Sequence, residues 1–202
     1  EQMAAGEFGS VEDEQTNTLI KLRDSNAKLI DLIQNIVEVY RYERDVRTLT
    51  HSQIDLGELV SECANGFKNI ASNRRVTINI NRPDAVMEVM ADSNSIRRAL
   101  QNLIENAIKF SPEGSSVELA VRQDQSTIII EIHNRGEAIS KDDQQFLFQR
   151  FWQGIRGKRY VAGSGLGLYL CHKIVTAHNG TITCSSSDSL GTTFTVQLPA
   201  LR

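Results

Sequence analysis

No stretch of this sequence approaches 18 consecutive apolar residues, and no signal peptide is visible. The chain is therefore read as soluble, with membrane attachment left only to a larger parent protein. Basic residues are not in excess. With 22 Lys and Arg against 25 Asp and Glu, the formal charge is −3, so nucleic acid is not an expected partner. Three cysteines, Cys63, Cys171 and Cys184, are too few and too scattered for a disulfide framework or a zinc site. Reduced structural thiols and a cytoplasmic setting are expected. Internal repeats and low-complexity tracts are also missing. What is present is ordinary for a globular protein: 202 residues, 40% hydrophobic and 23% charged, enough for one domain of roughly 150 residues and an appendage.

The appendage comes first. From Val11 to about Arg44 apolar residues recur with helical period: Leu22, Leu29, Ile33, Ile36 and Tyr40, with Ile30 and Val37 widening the stripe. A helix of about 30 residues with so broad a stripe calls for another helix, in a bundle or a dimer seam. The pattern breaks in "TLTHSQIDLGEL". Asp55, with Glu58 three later, then starts a helix to about Ala71. Short strands are expected at 75–80 and 86–90, then a helix from Asp92 or Ser93 through Phe110, stopped by Ser111-Pro112. "SSVELAVRQ" and "STIIIEIHN" read as a hairpin turning near 124–126. A short helix over about 140–149, a glycine-rich turn, a helix to about His178 and two final strands complete an α+β domain. Its sheet is mostly antiparallel with helices on one face.

Four features carry chemistry. In "NLIENAIKF", Asn102, Asn106 and Lys109 share one helix face, while Ile96, Ala99, Leu100, Leu103 and Ala107 take the other. An amide oxygen can ligate Mg²⁺ and an ammonium can meet phosphate. "GSGLGL", residues 163–168, lets backbone approach closely and opens a helix whose free N–H groups favour an anion. It follows no strand of a βαβ unit and lacks the Gly-Lys-Ser/Thr ending, so neither a Rossmann site nor a Walker loop is read. "IEIHNRGEAIS" runs a strand into a polar turn at Asn134 and Gly136. "FLFQRFWQGIRGKRY" is an aromatic helix followed by Arg156, Gly157, Lys158 and Arg159, a candidate basic lid.

In this order and spacing the four motifs resemble the ATP-binding domain of sensor histidine kinases, whose fold is shared with gyrase, Hsp90 and MutL. "NLIENAIKFSP" looks like the family's N box, "NRGEAI" its first glycine box, "FLFQRF" its F box and "GSGLGLYL" its second glycine box. The resemblance covers about residues 55–200, and residues 13–50 look like the second helix of the family's dimerisation and phosphotransfer hairpin. It implies a two-layer α/β sandwich with a mixed, mostly antiparallel sheet over 51–202, preceded by a long dimerisation helix within 1–50. It further implies Mg-ATP as cofactor, a homodimer through a helical bundle, and transfer of the γ-phosphoryl group to a histidine. The phosphoryl group then passes to the receiver domain of a response regulator. By position, Asn106 is the implied Mg²⁺ ligand with Asn102 in support. Lys109 would face phosphate and Phe110 the base or ribose. Asn134, Gly136 and Ile139 would form the adenine turn. Gly163, Ser164, Gly165, Leu166, Gly167 and Leu168 would wrap the phosphates, and Arg150 and Lys158 are further candidates.

Two departures from the family stand out. An aspartate normally opens the first glycine box; here it is Asn134, whose amide keeps an acceptor and adds a donor. Ala138 replaces that box's second glycine and would be strained if φ were positive there. These leave a rival expectation of a non-catalytic dimerisation or signalling module of the same fold; another ATPase of that fold is a separate rival. The second departure is the phosphoacceptor. His51, His133, His172 and His178 all fall outside a Ser-His-acid motif on a hairpin helix. The accepting helix is expected upstream of Glu1, and the chain by itself is not expected to phosphorylate itself.

Overall fold

The computed structural model describes residues 13–44, 48–153 and 164–201. Helix α1 spans Asp13–Glu43 and β1 spans Ser52–Asp55. Helix α2 (Leu56–Asn73) starts on Asp55, whose carboxylate accepts from the N–H groups of Gly57 and Glu58 at 2.8 and 3.2 Å, satisfying donors that the first turn cannot. Then come β2 (Thr77–Asn81), β3 (Glu88–Ala91) and α3 (Ser93–Phe110). The hairpin β4 (Ser116–Asp124) and β5 (Thr127–Asn134) follows. Last are α4 (Lys141–Gln144), α5 (Gly167–Ala177), β6 (Thr181–Ser187) and β7 (Gly191–Pro199).

The main sheet has the order β2-β4-β5-β7-β6; β2 pairs parallel with β4 and every other pair is antiparallel. Alternate residues bury on one face. Val117, Leu119 and Val121 of β4, Ile128, Ile130 and Ile132 of β5, and Phe194, Val196 and Leu198 of β7 meet the apolar sides of α2, α3 and α5. The molecule is thus an α+β two-layer sandwich with a mixed, mostly antiparallel sheet and an N-terminal helix, as expected. β1 and β3 pair in a separate small antiparallel sheet. β1 falls where the sequence shows only a break in the helical pattern, because four residues make no full period.

Two expectations need correction. The helix expected over 140–149 is α-helical only through Gln144. From Phe146 to Gln149 the bonds run from i to i−3, since Leu147 must turn into the core, and Phe151 ends the segment at φ +56°. The strands expected at 75–80 and 86–90 start two residues later, as β2 and β3; for β2 the reason is Arg75, which takes φ +54°, so pairing begins only at Thr77.

α1 lies against the domain by a face outside its apolar stripe. Asn35 and Val39 are buried, and Leu32 and Tyr42 pack on the core, four positions at steps of three and four. Arg98 donates to the Asn35 carboxamide at 3.0 Å. Leu22, Leu29, Ile30, Ile33, Ile36, Val37 and Tyr40 stay exposed on the opposite side.

Candidate functional site

α3 presents the edge expected of it. Its inner side is core: Ile96, Leu100, Leu103, Ile104 and Ala107. Asn102, Asn106 and Lys109 are half-buried along one flank. Neither carboxamide has a hydrogen-bond partner among the described residues. The Lys109 ammonium stands over the Phe110 ring, 5.3 Å from its centre, and that ring is half-exposed.

Each end of this edge meets a glycine. At the upstream end a Cβ on Gly167 would come within 3.3 Å of Asn102 Oδ1, so the first turn of α5 passes directly beside the amide row. That turn has no side-chain cap, and its unpaired N–H groups give it a partial positive charge. Gly165 reaches it at φ +68°, where a methyl group would run into the backbone of Phe151 and Trp152. The Ser164 hydroxyl accepts from Leu166 N–H at 3.3 Å. Leu166 is core, and Leu168 packs against it.

At the other end Gly136 lies against the Phe110 carbonyl and the Asn134 side chain, with no room for a Cβ. Between Asn102 and Phe110 the edge runs about 12 Å, eight residues at the helical rise. Asn134 closes β5 on its buried face, opposite Val117 of β4 and Thr192 of β7, and is only 3% exposed. Ala138 has no positive φ, so its methyl group costs nothing and the strain considered for it does not arise. The Ile139 side chain packs on the core, while its N–H donates to Ser186 Oγ at 2.9 Å. Thr192, buried with its hydroxyl 2.6 Å from Ser186 Oγ, walls this end. Sequence reading missed it because one threonine in "TTFTVQLP" looks like any other.

Not every candidate joins the edge. Arg150 is ion-paired with Glu43 at the end of α1 and lies over the Tyr169 ring, 5.6 Å from its centre. The Tyr169 hydroxyl also donates to Glu43, at 2.6 Å. Together Arg150 and Tyr169 hold the Glu43 carboxyl below the usual carboxylate range. Lys158 and Gly163, with the rest of the basic lid, lie outside the described residues.

The cysteines and His178 are structural. All three cysteines are free, and burial pushes Cys63 up to about 11 and Cys171 and Cys184 up to about 12. They stay as thiols and offer no nucleophile. His178 is buried. Its Nδ1 lies 2.7 Å from the Ile174 carbonyl, and Nε2 accepts from Asp92 N–H at 3.0 Å. Asp92 itself caps α3 through Ser95 N–H at 2.8 Å. No group of His, Cys, Asp and Glu suited to a metal occurs among the described residues. A cation at this edge would have neutral amide oxygens from the protein and the rest from its ligand or water.

A two-layer sandwich with an amide-edged helix between two glycine turns defines a class. Residues 91–202 match the histidine kinase-, DNA gyrase B- and HSP90-like ATPase family, and the chain belongs to that family. Among the relatives it resembles are sensor histidine kinases. The chain is 34% identical over 175 residues to the sensor-like histidine kinase SenX3 of Mycobacterium tuberculosis, covering 86% of this chain and 42% of that protein. It is 29% identical over 188 residues to the alginate biosynthesis sensor protein KinB of Pseudomonas aeruginosa, covering 93% and 31%. The chain thus spans less than half of these relatives. Among solved structures, full-length ShkA in complex with AMPPNP superposes with a TM-score of 0.82 at 22% identity, over 98% of this chain and 42% of that one. The Acinetobacter baumannii histidine kinase AdeS gives 0.75 at 20%, over 96% and 87%. These two likenesses speak for the fold.

Proposed function

We propose that the α3 edge and its two glycine turns bind Mg-ATP, and that the chain is the catalytic core of a sensor histidine kinase. In this reading residues 51–202 hold the nucleotide and the helix before them contributes to a dimerising bundle. The γ-phosphoryl group passes to a histidine on a preceding hairpin helix and then to a response regulator receiver domain. One observation carries the proposal: two carboxamides without protein partners, a lysine one turn on, an uncapped helix start at one end and a buried amide at the other. A solvated polar face would have no reason to end on two glycines, one with no room for a methyl group and one with little.

The roles follow from position. Asn106, supported by Asn102, would hold Mg²⁺ through neutral oxygens, and the donor set fits a metal that takes most of its ligands from phosphate and water. Bound there, the metal supplies charge neutralisation for phosphoryl transfer. Lys109 and the first N–H groups of α5 would add positive charge along the same phosphates. Phe110 would lie along the ribose or base, and Asn134 beside the purine edge. The protein's work is positioning and electrostatics. The reading as a module without nucleotide loses one of its two grounds, because Ala138 is unstrained.

Calorimetric titration with ATP, with and without Mg²⁺, tests the reading. ATP should bind more tightly with the metal, and Asn106→Ala should weaken the Mg-dependent binding by about tenfold or more. An unchanged metal dependence in Asn106→Ala would remove the metal assignment, and no binding at millimolar ATP would remove the nucleotide site.

A further inference from the structure

The base end of the cleft differs in kind from one built on a carboxylate. We infer that Asn134 makes this chain a reader of 6-oxopurine as well as 6-aminopurine nucleotides, so that inosine and guanosine triphosphates bind beside ATP. The inference rests on the nucleotide-site reading above. A carboxylate can only accept hydrogen bonds, and would meet a 6-amino group well and a 6-carbonyl group badly. A carboxamide has one donor and one acceptor side by side. In one orientation its oxygen accepts from the adenine 6-amino group while its N–H₂ donates to N1. Turned over, its oxygen accepts from N1–H of hypoxanthine or guanine and its N–H₂ donates to O6. Two hydrogen bonds form either way.

Whether an amide can use both orientations depends on what else holds it, and here nothing polar does. Asn134 is 3% exposed; its carboxamide makes no hydrogen bond among the described residues, and its polar tip is not sealed from solvent. Its sheet neighbours do not pin it: Val117 is apolar, and the Thr192 hydroxyl bonds to Ser186 Oγ at 2.6 Å and not to the carboxamide. Gly136 packs against the carboxamide, with a would-be Cβ only 2.6 Å from Asn134 Nδ2, so the absence of a side chain there is what leaves the amide its place. A buried amide with no fixed orientation can follow the ligand's donor pattern without leaving a buried group unpaired, which is the usual source of strong discrimination.

The test is calorimetric titration of the whole chain with Mg-ATP, Mg-ITP and Mg-GTP, repeated on Asn134→Asp. The wild-type chain should bind ITP and GTP within about fivefold of ATP, since each pairing makes two neutral hydrogen bonds. Asn134→Asp should tighten ATP and weaken ITP, widening the ratio by about tenfold or more, because the carboxylate then opposes O6. ATP binding with ITP weaker by about fiftyfold or more in the wild-type chain would overturn the inference alone. Binding of neither nucleotide would overturn it together with the site reading. If Asn134→Asp does not fold, the wild-type ratio still decides. Asn134→Leu, of like shape but without either hydrogen bond, should then weaken ATP and ITP equally, and a loss confined to ATP would count against the inference.

Discussion

Gly66 and Gly165 ask opposite things of a methyl group. Gly66 lies inside α2, with nothing within 4 Å of where a Cβ would stand. There glycine contributes only backbone freedom to the unfolded chain, so Gly66→Ala should stabilise by about 0.5–1 kcal/mol. Gly165 stands at φ +68°, with Phe151 backbone carbon 2.7 Å from its would-be Cβ. Gly165→Ala should cost at least about 1–2 kcal/mol for the left-handed backbone alone. Thermal melts of the two variants check this, with a rise of a few degrees for the first and a fall for the second. Equal shifts would show that the turn before α5 tolerates a side chain. The residues most legible in the sequence were of this kind. Asn102, Asn106 and Lys109 stand at helical spacing, and Gly165 and Gly167 precede a helix, so local rules place them. Thr192 and Ser186 were not legible, since their meaning comes from strand register.

At the level of elements, α1 shows how far periodicity reaches. The stripe through Leu29, Ile33 and Ile36 was plain in the sequence and is exposed in the structure. The face that holds α1 to its own domain, Leu32, Asn35, Val39 and Tyr42, was not plain, because it is half polar and its Asn35 is matched by Arg98, 63 residues away. A helix with one face on its domain and a second apolar face left uncovered has a seam available for another helix. Ile33, 60% exposed, makes the test clean. Ile33→Asp should leave the melting temperature of the α+β sandwich unchanged while shifting sedimentation from dimer to monomer. A wild-type chain that sediments as a monomer at high micromolar concentration would deny this seam to a second copy. The other elements were legible where period and cap agreed, as at Asp55 and Asp92, and illegible where four residues had to suffice, as in β1.

For the molecule as a whole, the contact between α1 and the domain is the feature no local pattern carries. Glu43 reaches Arg150 and Tyr169, 107 and 126 positions further on, and thereby ties the end of α1 to the two segments that flank the basic stretch 154–163. Arg150 and Tyr169 hold the Glu43 carboxyl below its ordinary value of 4.5. The folded, docked state therefore binds that proton less readily than the undocked one. For a carboxyl with a lowered value, the stabilisation is fully present above 4.5 and drains away as pH falls through it and below. The pair is solvent-accessible, so salt should weaken it as well. Spin labels on Ser25 of α1 and Lys68 of α2, both exposed, should show a narrow distance distribution at pH 7 that broadens toward pH 4. Glu43→Gln should broaden it already at pH 7 and flatten its pH dependence, because an amide keeps the shape of the contact and loses its charge. A distribution that stays narrow in Glu43→Gln would mean that Asn35, Val39 and Arg98 hold the helix without this pair.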